Sequence, residues 1–337
     1  MAQIETETGM VRVGILGAGG MGRTHGSVLA ADPRVRIAGI ADVDPARAKT
    51  LAAELAAPAL DGLKGLLAVG IDLLVITTPN RWHAESAGMA LEAGVGVLSE
   101  KPMALSAAEA LRLCEAAEKP GRFYVVGHNR RHAPVYSRVQ EILADGFRPM
   151  LASFKMHEGD FRTPAWVSDP QVSGGFLYEN LVHFFDLMEW LIAPIAQVSC
   201  LARGPFYPDL NDFVLSVAFT DGAIAALTAT GHASWLQPAE RAELVGDHAA
   251  VVVEGLDRVI HSPGDGVEIR IHDYSRLPRE ERWGYRDQNL EVITSYLTGR
   301  PACFSARKAL RTLVIADAIL ASIREGRPVA VPPPQPD

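Results

Sequence analysis

The sequence predicts an α/β protein of two domains. A parallel sheet wrapped by helices comes first, followed by an α+β domain with a large, mostly antiparallel open sheet. Three observations carry this expectation. Over the first 145 residues, short apolar runs alternate with stretches of helix formers, the order left by repeated βαβ units. The first run, "VRVGIL", opens into "GAGGMG", a glycine-rich turn ahead of a helical pattern. From about residue 150 the pattern changes to alternating runs such as "MLASFKMHEG", "DFVLSVAFTDGAIAALTAT" and "AELVGDHAAVVVEG", with turn dipeptides such as Asp221-Gly222.

In chain order, the strands of the first domain read "VRVGILG", "VRIAGIAD", "IDLLVITTP", "VGVLSE" and "FYVVGHN". The stretches 45–56, 83–93 and 106–118 between them are rich in Ala, Leu and Glu, which favour helix. The first domain is expected over 10–127 and the second over 128–330. Later helices are expected at 287–298 and near 305–325, the second of these packing back on the first domain. "PVAVPPPQPD" is too proline-rich for more than extended chain, with 331–337 a tail.

With 337 residues, 48% hydrophobic and 21% charged, the chain is long enough for two cores. A formal net charge of -8, with no block of like charge, argues against nucleic acid as a partner. "MAQIETETGM" has acids where a signal peptide needs basic residues, so it reads as a frayed start. No apolar run reaches the roughly 18–20 residues that span a bilayer. A cytoplasmic protein with no membrane partner is therefore expected. Cys114, Cys200 and Cys303 are scattered singly and odd in number, as reduced thiols are, and the histidines lack ligand spacing, so no metal is expected.

Gly17, Gly19 and Gly22 fit the G-x-G-x-x-G pattern of a Rossmann dinucleotide-binding unit. Gly17 would make the tight turn, Gly19 would let the backbone approach a pyrophosphate, and Gly22 would allow close packing of the helix. Gly20 and Met21 would lie at the helix amino end beside the phosphates. A bare strand-to-helix turn is the competing reading. Asp42 closes the second strand 20 residues after Gly22, where an acid accepts hydrogen bonds from the ribose hydroxyls and repels a 2'-phosphate. The nearest arginine, Arg47, follows Asp44 and Pro45, so NAD is expected over NADP.

Two further stretches invite chemistry. "SEKP" places Glu100, Lys101 and Pro102 at the carboxyl end of a strand, the edge where ligands bind in open α/β sheets, and proline keeps Lys101 out of the helical region. "GGFLYENLVHFFDLMEWL", residues 174 to 191, is apolar yet carries Glu179, His183 and Asp186 and no basic residue. At about 100° per residue these three and Trp190 fall on one stripe, which either faces water or lines a site.

Four ordered motifs, "GILGAGGMG", "TTPNRWH", "EAGVGVLSEKPMAL" and "GGFLYENLVHFFD", together resemble the Gfo/Idh/MocA oxidoreductase family over nearly the whole chain. That family includes inositol dehydrogenases and glucose-fructose oxidoreductase. The resemblance implies a Rossmann domain, an open-sheet domain, NAD(P) with a sugar or cyclitol between them, and a homodimer or homotetramer built through the sheet. In the family, the lysine of the EKP motif and the acid and histidine of a D-x-x-x-H motif surround the reacting carbon. Carried over by position, these are Lys101, Glu179 and His183. The chain departs from the pattern in having Glu179 for Asp, Leu181 where glycine is common, and Ser173 opening what is often a glycine triplet.

On this resemblance, His183 takes the hydroxyl proton, Lys101 stabilises the developing negative charge and keeps the imidazole neutral, and Glu179 orients the sugar or the imidazole. Thr78, Pro79 and Asn80 are expected to brace the nicotinamide ribose, with His83 at the next helix start and Glu100 and Lys101 beside the cofactor. An N-capping role for Asn80 competes. Asn129 and Arg130 are expected to face the substrate, the next residue being a second arginine. His157, Trp283 and Tyr285 are expected either to shape the pocket or to serve the sheet and its packing. The activity implied is NAD-dependent transfer of hydride from a ring secondary hydroxyl of a cyclitol or sugar. A glycosidase acting by transient oxidation is one alternative. A non-catalytic sugar or nucleotide sensor is another, against which Lys101 and His183 argue.

Overall fold

The computed structural model describes residues 9–159, 162–234, 239–302 and 304–334. The expectations placed on residues 1–8, on Cys303 and on the last three residues of the tail lie outside these. The chain divides into two compact units, Met1–Asn129 with Tyr285–Leu310, and Arg130–Gly284 with Arg311–Pro336.

The first unit is built on five parallel strands, β1 (Val11–Leu16), β2 (Val35–Ala41), β3 (Leu73–Ile76), β4 (Gly96–Glu100) and β5 (Tyr124–Gly127), in the order β2-β1-β3-β4-β5. Every residue of β3, β4 and β5 is buried, because helices cover both faces of a parallel sheet. That burial is why these strands read as continuous apolar runs. The helix Pro45–Glu54 starts at Asp44, whose side chain accepts from Ala46 N, and the helix Ala107–Ala117 starts at Ser106, which accepts from Glu109 N.

The chain returns to this unit over Tyr285–Leu310, a segment that the sequence reading assigned to the second domain. The helix Tyr285–Thr298 makes the return, joined by the first residues of the later one, Ala306–Leu310, of which Arg307 pairs with Glu118. Its Val292, Ile293 and Tyr296 join Val13, Ile15, Val75 and Leu98 in one buried cluster. Gly96 admits the Tyr296 ring, since a Cβ there would stand 2.7 Å from Tyr296 Cε2. The helix Ala306–Glu325 mostly belongs to the second unit, where Arg311 pairs with Glu189 at 2.7 Å and donates to Ile195 O at 3.0 Å.

In the second unit, β6 (Leu151–His157), β7 (Ile195–Arg203), β8 (Asp212–Phe219), β9 (Ile224–Thr230), β10 (Glu240–Val245), β11 (Ala250–Glu254), β12 (Arg258–Ser262), β13 (Arg270–Asp273) and β14 (Val329–Ala330) form one sheet. Its order is β13-β12-β11-β10-β6-β9-β8-β7-β14. Among the described residues only β6 and β9 pair in parallel in this sheet, so it is mostly antiparallel, as the alternating runs predict. One face buries Phe154 and Met156 of β6 and Phe213, Leu215 and Val217 of β8. The helix Val182–Leu191 lies on that face, with Phe184 edge-on to Phe154 at 6.0 Å between ring centroids. Parity puts Leu201, Val214 and Ile224 on the other face, where they are exposed.

Ile293 is fully buried in the cluster that the returning helix completes. Ile293→Ala is expected to cost about 2–5 kcal/mol, read as a lower urea midpoint of the whole chain. A change within about 0.5 kcal/mol would show that the helix contributes no core.

Candidate active site

In the first unit, the glycine loop is shaped by two glycines that tolerate no side chain. Gly17 has φ +104°, and a Cβ on it would stand 2.6 Å from Thr77 O. On Gly22 a Cβ would stand 2.0 Å from Gly17 O. Thr77 secures the turn by donating from its hydroxyl to Gly17 O at 2.8 Å. A Cβ on Gly19 or Gly20 would meet nothing within 4 Å, so the backbone at the start of the helix Gly20–Ala30 is open to approach. Gly19 stands at the N-cap with no side-chain capping bond, so these amides suit an anion such as a pyrophosphate. The arrangement fits a dinucleotide. Thr78 Oγ1, buried beyond β3 with no hydrogen-bond partner among the described residues, is a further polar atom suited to one.

Asp42 is tied to this loop. Its Oδ2 accepts from Ala18 N at 2.7 Å and its Oδ1 from Asp44 N at 2.8 Å. Arg47, set aside by the sequence reading as too far along the chain, reaches back to Asp42 Oδ1 at 3.0 Å. The first turn of the helix Pro45–Glu54 carries it there, so the negative charge at Asp42 has a cation beside it.

Two buried histidines hold the carboxyl edge of this sheet. His83 places Nδ1 2.8 Å from Pro102 O and Nε2 2.7 Å from Thr78 O, stitching the loop after β3 to the cis Lys101-Pro102 peptide. Asn80, beside it, is buried at the start of a short 3-10 turn. His25 places Nε2 2.8 Å from Glu100 Oε1 and Nδ1 2.9 Å from Asn289 Oδ1. Asn289 presents its oxygen because its Nδ2 donates to Tyr285 O at 2.9 Å. Burial works to raise the Glu100 carboxyl, but the His25 hydrogen bond and the nearby His25, Lys101 and His83 together hold it below the usual range. Glu100 also accepts from Lys101 N at 3.2 Å, which links this network to the lysine.

In the second unit, the helix of the apolar stretch departs from the regular geometry assumed above. Leu177–Leu181 is a π-helical turn, and the α-helix begins at Val182. The wider turn breaks the 100° spacing assumed for Glu179, which is half-buried while His183 and Asp186 are buried. The stripe does not face water. Arg130 and Arg131, from the 3-10 turn Asn129–His132, answer it. Arg131 Nε donates to both oxygens of Asp186, at 3.0 and 2.9 Å, and its Cζ lies 5.0 Å from the Trp190 ring centroid. Arg130 Nη1 lies 3.1 Å from His183 Nε2, and its Nη2 pairs with Glu240 on β10. Arg130 Cζ also stands 5.3 Å from the Trp283 ring centroid, so Trp283 presents a face to guanidinium.

His157 is placed apart from His183. Along β6 it shares parity with Leu151 and Ser153, opposite to Phe154 and Met156, which face the helix. It lines a cavity of about 360 Å³ with Leu201, Arg203, Asp212 and Thr228. Burial and Lys155 lower its imidazole against the opposing pull of Asp212.

Residues 11–128 match the NAD-binding Rossmann fold of an oxidoreductase family, Gfo/Idh/MocA, and residues 151–331 match that family's C-terminal α/β domain. The chain belongs to the Gfo/Idh/MocA oxidoreductase family. Among its curated relatives is an inositol 2-dehydrogenase of Acidothermus cellulolyticus, 29% identical over 343 residues covering 96% of this chain and 95% of the relative. An inositol 2-dehydrogenase of Rhizobium meliloti is 26% identical, covering 95% and 99%. Levoglucosan dehydrogenase in complex with NADH has the same fold, with a TM-score of 0.88 at 20% identity over 96% of this chain and 99% of that one. No helix among the described residues is long and apolar enough to cross a membrane.

Within this family member, reasoning from sequence missed His25, Asn289 and Glu240. His25 follows Gly22 by three residues on the same helix, so its position beneath the loop was readable. Glu240, in "PAERAELV", carried no signal. The hydrogen bond between His25 and Glu100 yields a pH test. A carboxyl held low in the folded chain contributes stability that is full above the unfolded value of about 4.3 and is lost as pH falls through the folded one. His25→Ala leaves Glu100 buried without its partner and is expected to cost about 3–5 kcal/mol at neutral pH. Urea titrations from pH 7 to about pH 3 should show the gap between variant and parent narrowing below about pH 4, as Glu100 of the parent protonates; a constant gap would reject the pair.

Proposed function

We propose that this chain is an NAD-dependent dehydrogenase that moves hydride between a ring secondary hydroxyl of a cyclitol or sugar and the nicotinamide. The observation that carries the reading is the state of His183. A guanidinium only donates, so the Nε2 facing Arg130 Nη1 is an acceptor, at the position where the family resemblance puts the proton acceptor. Its relatives' names, inositol 2-dehydrogenase, favour a cyclitol or a ring of similar shape.

Bound NAD would supply the hydride acceptor. The chain's residues do the rest. His183 takes the hydroxyl proton at Nε2 as the C–H bond breaks. Lys101, directed by the Glu100 carboxylate and the following proline, offers an ammonium to the developing negative charge. Glu179 accepts a hydrogen bond from a ring hydroxyl. Gly19, Gly20 and Met21 give their amides to the phosphates, Thr78, Pro79 and Asn80 brace the nicotinamide ribose, and Asp42 meets the adenosine ribose. The carboxylate of Asp42 favours NAD over NADP, with Arg47 moderating that preference. The enzyme works in the cytosol.

A screen of inositols, pyranoses and their glycosides with NAD, followed by NADH absorbance, tests the activity. Absence of turnover with every ring polyol, alongside aglycone release from a glycoside, would overturn it. His183→Ala is expected to lower turnover by a factor on the order of 10² or more with NAD affinity little changed. Asp42→Ala should weaken NAD binding and narrow the preference over NADP, read by titration calorimetry with each nucleotide. Equal binding of both by the parent would reject the role of Asp42.

A further inference from the structure

We infer that Arg130, anchored by Glu240, is a positioning residue that fixes the tautomer of His183 and holds its imidazole neutral. The inference deepens the proposed function, resting on it for the role of His183 as proton acceptor. Its physical basis is independent of substrate. The Arg130 guanidinium carries five N–H groups and no acceptor, so His183 Nε2, 3.1 Å from Nη1, holds a lone pair and the ring proton sits on Nδ1. All three residues are deeply buried, with Arg130 6%, His183 4% and Glu240 5% exposed. Glu240 pairs with the guanidinium through Nη2, so its one negative charge is matched by Arg130.

Protonation at Nε2 would set N–H against N–H and place two cations side by side away from water, so the imidazolium is disfavoured. Four other charged or titratable groups near the helix Val182–Leu191 can be placed among the described residues. Asp186, on the same helix, is neutralised by Arg131 through both carboxylate oxygens. Arg279, which also stands over the Trp283 ring at 5.1 Å, adds positive charge. Tyr136, on the helix Pro134–Ala144, is kept as a neutral phenol by burial and by Glu240. Glu179, on the preceding π turn, is half-buried rather than buried. The histidine therefore waits as a base in its reactive form. For a substrate hydroxyl to deliver its proton to Nε2, the Arg130 N–H has to turn aside, and Glu240 keeps hold of the guanidinium while it does.

The test is the titration of His183 in the ¹⁵N-labelled full chain, its imidazole signals assigned as those lost in His183→Gln. The parent is expected to show hydrogen on Nδ1 and a bare Nε2, and to stay so well below the ordinary imidazole value of about 6.5. Arg130→Met, which removes the cation and leaves the Glu240 carboxylate without its partner, should raise the titration midpoint by about one pH unit or more. The double variant Arg130→Met/Glu240→Gln removes both charges, so it decides the matter if the single one does not fold, and its midpoint should lie between the other two. A merely structural arginine would not produce that order. A bare Nδ1 in the parent, or the same midpoint in all three proteins, would overturn the inference. Undiminished turnover by His183→Ala would instead defeat the proposed function and leave the titration result standing.

Discussion

An imidazole and a carboxylate buried on an otherwise apolar helix need hydrogen-bond donors, and the short turn Asn129–His132 supplies them. A buried charge stripped of its partner costs several kcal/mol, so the helix bearing His183 and Asp186 gains stability from Arg130 and Arg131. Consecutive arginines on a 3-10 turn point in different directions, which lets one reach the aspartate and the other the histidine. The same constraint fixes Glu240 on β10, because Arg130 in turn needs a carboxylate. A chain of obligations thus runs from one turn through a helix to a strand, entirely within the second unit.

The first unit solves a similar problem with histidines. His25 and His83 each set both ring nitrogens against oxygen, and each joins segments distant in sequence. His83 bridges the ends of β3 and β4, and His25 bridges the helix Gly20–Ala30, the end of β4 and the returning helix. Hydrogen bonds of this kind are directional, so they set the path of the Lys101 backbone more sharply than apolar contacts would.

Much of this was legible in the sequence. The five parallel strands announced themselves because burial on both faces leaves unbroken apolar runs, and Gly17 and Gly22 because nothing else fits the turn. The face of His157 was readable too: Phe154 and Met156 mark the buried parity of β6, and His157 has the other. The π turn was not, since one wider turn leaves the composition of "GGFLYENLVH" unchanged while rotating everything before it. Nor was the destination of Val292, Ile293 and Tyr296, whose apolar side chains would suit either core. Arg130 and Arg131 were visible as a pair, but their partners sit 53 and 55 residues further on, a distance no local pattern spans.

The return of Tyr285–Leu310 to the first unit has a consequence for how the protein is made. A ribosome delivers the amino-terminal strands long before the helix that covers them, so Val13, Ile15 and Leu98 lack part of their cover until some three hundred residues have been synthesised. The intervening segment, second in sequence, carries β6 to β13, but the last strand of its sheet, β14, and most of the helix Ala306–Glu325 arrive only after the first unit has been closed. Each unit is thus closed by a segment made after the bulk of the other.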